Sequence, residues 1–511
     1  MVGVKQDMQQ VNDQSVAASA NAGHASPQAG APTRAGIPTS GRFDVAVVGA
    51  GVVGAAVARR FQLNGASVVV IEAATDVLDG ASKGNSGILH TGFDAPVGSL
   101  EARCVIAGRE EYLAIHESLG LPLLRTGALV LAWDDDQAGR LPELLAQAHA
   151  NGVTDSALLS TAEVRALEPS LGAGVRGALR VPGEAIIDPW SAAHAYLLQA
   201  LANGATLRRS APLTAARWNG DEWELDTGAG PVRAGRVVLC AGLQGDTVER
   251  LFWPDASFTI RPRKGQFVVY DTPAAHLARH ILLPVPTAVT KGIVICRTAW
   301  GKLLVGPTAE EQDSRTEAAT DPATLRALMT RGEQILPGLA GQRVVAAYAG
   351  LRPATEQKEY RIRLDAERGL LSIGGIRSTG LSAALGLAQH AAALLNPAEP
   401  AATRAVTTPR MPWMAEDPDD PGALRRDWAQ PEHGGIVCHC ELVTRREVLA
   451  ALEGPLAATT LAGLKRRTRV TMGRCQGFNC LAELATLTRG RLDPPVGEAL
   501  AAAPADGHVR G

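Results

Sequence analysis

Four cysteines near the C-terminus, Cys438, Cys440, Cys475 and Cys480, speak most directly of chemistry. They form C-x-C followed, 35 residues on, by C-x4-C. Four thiolates can hold a [2Fe–2S] cluster. The spacing is neither the C-x2-C…C-x2-C of a zinc ribbon nor the C-x4-C-x2-C run of plant-type ferredoxins. Zinc and a metal-free thiol role are the alternatives. Between the cysteine pairs, Thr444 and Glu447 have the spacing of a capping box and predict a helix start. Lys465, Arg466, Arg467 and Arg469 make a basic patch suited to offsetting cluster charge or facing an acidic redox partner, with a plain solvated face as the default. The other three cysteines, Cys104, Cys240 and Cys296, stand alone, so the seven do not form a disulfide framework.

A second centre lies at the other end. The apolar run Phe43–Val48 leads into Gly49-Ala50-Gly51-Val52-Val53-Gly54 and a helical stretch, and a second run, SVVVIE, ends on Glu72. Gly49 permits the tight turn, Gly51 lets a pyrophosphate approach the backbone, and Gly54 lets the helix pack on the strand. The helix N-terminus favours the phosphates, and Glu72 is placed to accept from ribose hydroxyls. Strand, turn, helix, strand and acid in order predict dinucleotide binding. No second fingerprint follows, which argues for a flavin rather than a separate NAD(P)H site. Two further loops suit a cofactor lying close to backbone: VVLCAG, ending on Gly242, and GGIRSTGLS, where Gly375, Gly380 and Leu381 precede a helix.

Between these lies a stretch dense in small polar residues, from Ser82 through Asn85 and Ser86 to His90, of the kind that can sit under a flat cofactor. Oxidising a secondary alcohol requires removal of the hydroxyl proton as hydride leaves carbon, and an imidazole such as His90 can take that proton at neutral pH. The alternative for His90 is a hydrogen bond near the ring.

The elements that must position these groups follow from patterning. The runs FDVAVVGAG, ASVVVIEA, RVVLCAG and GLLSIGG alternate with Ala/Leu-rich helical stretches, which predicts an α/β fold with a Rossmann-type parallel sheet over residues 43–398. Alternating strands broken by Gly and Pro predict an inserted antiparallel sheet over about 258–345, covering the substrate. Residues 1–40, poor in large apolar side chains, are expected to be disordered. A linker is expected over 399–433, a small helical cysteine domain over 434–492, and a flexible tail over 493–511. The length of 511 residues suits several domains. A net charge of −2 offers no basic excess for nucleic acid, and no apolar run nears the roughly 20 residues of a membrane helix. With no secretory pattern either, a cytoplasmic protein is expected, membrane-associated only through a partner.

The order GAGVVG, GNSGILHTG, VVLCAG, GLRPAT and GGIRSTGLS resembles the FAD-dependent oxidoreductases of the D-amino-acid oxidase superfamily, with the nearest resemblance to L-2-hydroxyglutarate dehydrogenases and anaerobic glycerol-3-phosphate dehydrogenases. The segment from IVCHCELVT to MGRCQGFNC resembles bacterioferritin-associated-ferredoxin-like [2Fe–2S] domains. The first resemblance implies FAD and hydride transfer to the flavin. It also implies a substrate-contacting arginine at Arg352, where a guanidinium suits a carboxylate or phosphate. Arg377 is a second candidate and Lys264 a third. One departure stands out. Where the glycerol phosphate enzymes carry an Arg after the His-x-Gly turn, this chain has Phe93-Asp94. A phosphate beside Asp94 is repelled unless other cations outweigh it, which favours a hydroxy acid or polyol-type substrate. The expectation is a dehydrogenase of a small anionic substrate that exports electrons through the cluster to an electron-accepting protein or quinone-linked subunit. The alternatives are an oxygen-using amino-acid or hydroxy-acid oxidase with a structural metal site, and a non-enzymatic redox-sensing subunit.

Overall fold

A computed structural model of the chain describes residues 41–286, 292–395, 406–409, 411, 415–417 and 420–501. The segment 1–40, expected to be disordered, lies outside the described residues. The four apolar runs become the heart of an eight-stranded sheet. Strand Arg42–Val48 pairs in parallel with Val68–Ile71 on one side and Val232–Leu239 on the other, and the latter pairs in parallel with Leu370–Gly374. These runs are apolar without alternation because both faces are covered: Val45 through Val48 and Val68 through Ile71 are all buried. The order of the parallel strands sets the site. Gly49, Glu72, Gly242 and Gly375 follow at or just beyond the carboxyl ends of four neighbouring strands, where open α/β sheets bind ligands.

One face of the sheet carries helices Val52–Leu63, Leu100–Leu119, Pro189–Ala202 and Gly380–Leu395, joined in one apolar core. The second and fourth of these cross at backbone contact. A Cβ on Gly386 would overlap the Cys104 carbonyl oxygen, and one on Gly108 would overlap the Ser382 carbonyl oxygen. Cys104 is therefore a packing residue of this crossing, buried with its thiol pushed up to about 11 by desolvation. Gly386→Ala is expected to cost about 1–3 kcal/mol through forced separation of the two helices. Chemical denaturation of the FAD-loaded protein checks this, and an unchanged midpoint counts against the tight crossing.

The second sheet has nine strands and differs from expectation in extent. Besides Arg263–Tyr270, Ile281–Pro284, Val294–Arg297, Leu303–Gly306, Glu310–Glu311 and Val344–Arg352, it takes Ala128–Ala132, Ala157–Ser160 and Gly177–Val181 from an earlier stretch of chain. It is antiparallel except where Ile281–Pro284 runs parallel to Ala128–Ala132. That long-range pairing carries no local signal, so the earlier strands could not be assigned to this sheet from patterning. Parts of the expected linker are ordered: Ala415–Asp417 pairs with Asp420–Arg425, and Thr407 bonds to Asn203. The expected flexible tail begins with helix Val496–Ala501, whose Val496 is buried in the small domain's core.

Candidate active site and cysteine centre

A cavity of about 1380 Å³ opens at the carboxyl ends of the parallel strands and reaches under the second sheet. It is lined by Gly49, Gly51, Glu72, Ser82, Asn85, Ser86, His90, Gly242, Arg352, Gly375, Arg377, Gly380 and Leu381, so residues far apart in sequence share one space. Gly54 lies behind the lining. A Cβ there would overlap the Gly49 carbonyl oxygen, which is the close helix–strand approach expected of it. Gly49 itself has φ +107°, and a Cβ there would lie 2.5 Å from the Cys240 carbonyl oxygen. The Glu72 carboxylate accepts from the backbone N–H of Ala50 at 2.7 Å and of Ala74 at 2.9 Å. Burial nevertheless raises its pKa. Ser82 Oγ accepts from Val52 N–H at 3.0 Å, capping the helix whose own N-cap, Gly51, has no side chain to do so.

The loop holding Asn85 and Ser86 is fixed from several sides. Asn85 spends its side chain on the Gly87 N–H and the Ser82 carbonyl. Tyr348 O–H donates to the Asn85 carbonyl at 2.8 Å, and Trp190 Nε1–H donates to the Lys83 carbonyl at 3.1 Å. Buried Cys296 presses its sulfur toward the Ser86 carbonyl, 3.9 Å away. A Cβ on Gly84 would lie 2.6 Å from the Gly350 Cα, so two glycines let the loop cross the second sheet in backbone contact.

His90 follows the short strand Ile88–Leu89, which Ser382 ties to helix Gly380–Leu395. Its Oγ accepts from the His90 N–H at 2.8 Å and donates to the Ile88 carbonyl at 3.3 Å. His90 Nδ1 lies 2.9 Å from Glu184 Oε2, and the other oxygen of that fully buried carboxylate accepts from the Thr91 N–H at 2.6 Å and Oγ1 at 2.9 Å. Patterning missed Glu184, although an acid directly ahead of the apolar run Ala185–Ile187 was a signal available to it.

Arg352 ends strand Val344–Arg352 opposite Arg263 on the neighbouring strand. Gly265 makes its room, since a Cβ there would collide with the guanidinium. Burial, with Arg263 and Arg377 nearby, pulls the Arg352 guanidinium down to about 10, still protonated at neutral pH. Its Nη2 donates to the Thr308 carbonyl at 3.1 Å. Lys264 is instead occupied by Glu310 at 3.3 Å. Asp94 lines the same cavity. A further cation there, Arg315, is held by buried Asp246 through two bonds of 2.5 and 2.9 Å.

The four clustered cysteines converge as two pairs, Cys440 with Cys475 and Cys438 with Cys480. Among the described residues no three His, Cys, Asp or Glu side chains converge as a single ion needs. Two sulfur pairs are what a two-iron cluster needs, because each iron takes two protein thiolates. A Cβ on Gly473 would collide with the Cys440 Cβ, and Gly477 sits at φ +92° between the last two cysteines. Backbone N–H groups of Asn479 and Gly477 reach Cys475 and hold its thiol below the usual range, while burial pushes Cys480 up to about 12. Thr444 and Glu447 form the expected capping box.

A family model described as FAD dependent oxidoreductase matches residues 44–394. The chain belongs to this family. A second model, the BFD-like [2Fe-2S] binding domain, matches residues 436–488 of this FAD-dependent oxidoreductase. It is 30% identical over 453 residues to a glycerol 3-phosphate dehydrogenase of Caloramator mitchellensis, covering 86% of this chain and 92% of that one. It is 26% identical over 497 residues to a subunit of the anaerobic glycerol-3-phosphate dehydrogenase of Escherichia coli K12, covering 87% of each. In fold it is similar to the FAD-bound L-alpha-glycerophosphate oxidase of Mycoplasma pneumoniae, with a TM-score of 0.68 and 24% identity over 73% of this chain and all of that one. The glycine cradle at 49–54, with Glu72 and the long cavity, fits FAD, and the paired sulfurs with their glycines and N–H donors fit a [2Fe–2S] cluster.

The FAD-dependent oxidoreductase also uses its basic run differently from expectation. Arg467 holds buried Asp76 through bonds of 2.7 and 3.0 Å, and Arg466 bonds Asp79 at 3.0 Å and the Val77 carbonyl at 3.2 Å. Arg469 pairs with buried Glu441 at 3.1 Å and covers the Trp300 ring at 4.9 Å. Arg466 and Arg467 bind the small domain to the segment just after Glu72, and Arg469 pairs within the small domain and packs on Trp300, so these three are neither a solvated face nor a docking patch.

Proposed function

We propose that the protein oxidises a small hydroxylated anion, with glycerol 3-phosphate as the first candidate, at the carbon bearing the hydroxyl. Electrons then leave through the cysteine centre to an external protein or quinone-linked acceptor. The observation that carries the substrate class is the meeting of Arg352 and Arg377 in the cavity that His90 also lines, with Arg263 beside them but paired to Glu311. Their mutual repulsion is relieved by a bound anion, and together they outweigh Asp94. FAD, when bound, supplies the two-electron acceptor for the departing hydride. The chain's own residues do the rest: Arg352 and Arg377 hold the anionic end, and His90 takes the hydroxyl proton. Cys438, Cys440, Cys475 and Cys480 are the proposed cluster ligands. The names of the relatives support this reading, and the cytoplasm is the proposed location. No described helix is long and apolar enough to cross a membrane.

Asp94 on the cavity wall favours a second reading, a 2-hydroxy acid. Anaerobic mixing with glycerol 3-phosphate, 2-hydroxyglutarate and glycerol decides between them. Bleaching of the flavin by glycerol 3-phosphate at the lowest concentration supports the first, preference for the hydroxy acid the second, and bleaching by none removes both. Arg352→Ala is expected to raise the substrate concentration needed for half-maximal bleaching about 10- to 100-fold, the loss of one or two charge-assisted hydrogen bonds. Arg352→Lys should fall between, because it keeps charge without the planar fork. An unchanged requirement in the alanine variant removes Arg352 as the anchor.

A further inference from the structure

We infer that Glu184 is a positioning residue for the oxidation, its buried carboxylate fixing His90 as the Nδ1–H tautomer so that Nε2 is the nitrogen that accepts the substrate proton. This rests on the base role proposed above for His90. An ionised carboxylate can only accept hydrogen bonds, so the 2.9 Å contact places the proton on Nδ1. The orientation is set by more than that contact. Glu184 Oε1 is held by both Thr91 donors, the His90 N–H is held by Ser382, and strand Ile88–Leu89 pairs with Ala185–Ile186 immediately after Glu184. The imidazole and the carboxylate are thus carried by the two strands of one ribbon, 94 residues apart in sequence. Such an orienting acid behind a histidine base fixes its tautomer and stabilises the imidazolium that forms.

A purely structural role is the competing account, and the molecule contains its example. His280 Nδ1 lies 2.7 Å from the buried carboxylate of Glu168, which also takes the backbone N–H of Arg279 and His280, and His280 is outside the cavity lining. Glu184→Gln separates the two accounts. Its amide oxygen can keep the Thr91 bonds, but its NH2 faces Nδ1, which must then accept. The proton moves to Nε2, where it blocks the base.

The test uses FAD-loaded protein with 15N-labelled histidine. His90 is expected to show Nδ1–H in the wild type and Nε2–H in Glu184→Gln, with His280 unchanged as the internal reference. Anaerobic flavin reduction by glycerol 3-phosphate should slow at least 100-fold in Glu184→Gln at an unchanged half-saturating concentration, and Glu184→Asp should recover at least tenfold of that loss. A wild-type tautomer in Glu184→Gln, or a flipped tautomer with a wild-type reduction rate, overturns the proposal. So does a rate lost equally in the Gln and Asp variants with the tautomer unmoved, which is the structural outcome. The base reading fails separately, if His90→Asn itself reduces flavin at the wild-type rate.

Discussion

His90→Asn is expected to slow anaerobic flavin reduction by about 10²- to 10⁴-fold, the usual worth of a positioned general base. Asparagine is the informative replacement. Its side-chain amide can still donate toward Glu184, and its backbone N–H keeps the bond to Ser382 Oγ, so the ribbon Ile88–Leu89 with Ala185–Ile186 should survive. What it lacks is a second nitrogen able to take a proton. The cavity walls away from His90, including the glycine cradle and Glu72, are untouched, so the absorbance of bound FAD should match the wild type. The anion site formed by Arg352 and Arg377 is likewise intact, and the half-saturating substrate concentration should stay within a few-fold. Stopped-flow absorbance under anaerobic conditions gives both quantities at once. A reduction rate within tenfold of wild type would remove His90 from proton transfer. A lost rate accompanied by a lost anion affinity would instead show that the residue holds substrate.

How much of this was legible beforehand depended on whether a group's task is local or long-range. The cradle Gly49, Gly51 and Gly54 with Glu72 could be read because one strand–turn–helix–strand unit contains all of it, and the structure puts those residues together. The four cysteines could be read as a set because their spacing is itself the signal. His90 was legible as a chemical type, whereas its partner was not. Glu184 reaches it only because two short strands from distant parts of the chain pair, and no local period announces that. The same reason hid the strands Ala128–Ala132 and Gly177–Val181 of the second sheet. Charge was the least legible property. Lys465 to Arg469 read as a surface patch because its partners, Asp76, Asp79 and Glu441, stand elsewhere in sequence, and only folding turns three of its cations inward.

That inward turn predicts the second large effect. Asp76→Ala is expected to destabilise the seat of the cysteine domain by about 3–5 kcal/mol, the cost of leaving a buried charge without its partner. Asp76 is 1% exposed and is the anion for Arg467, with Arg209 3.7 Å away and the Thr459 N–H at 3.3 Å. Burial already lowers the Arg467 pKa despite Asp76 beside it, and Arg466 and Arg209 push the same way. Without the carboxylate three guanidiniums face one another in a space with little water. The seat should then open before the parallel sheet melts, because that sheet's core is built from other residues. Limited proteolysis should cut faster ahead of residue 436 in Asp76→Ala, while the body still binds FAD and is still bleached by substrate. Passage of electrons onward to the cysteine centre should fail in the same sample. Asp76→Leu combined with Arg467→Met tests the cause, since replacing both charges by apolar side chains of similar size is often neutral or stabilising. Recovery of protease resistance in that double variant assigns the effect to the orphaned charge. Equal sensitivity in single and double variants assigns it to shape at the Gly463 contact, where the Asp76 carboxylate fills the space a Cβ would need.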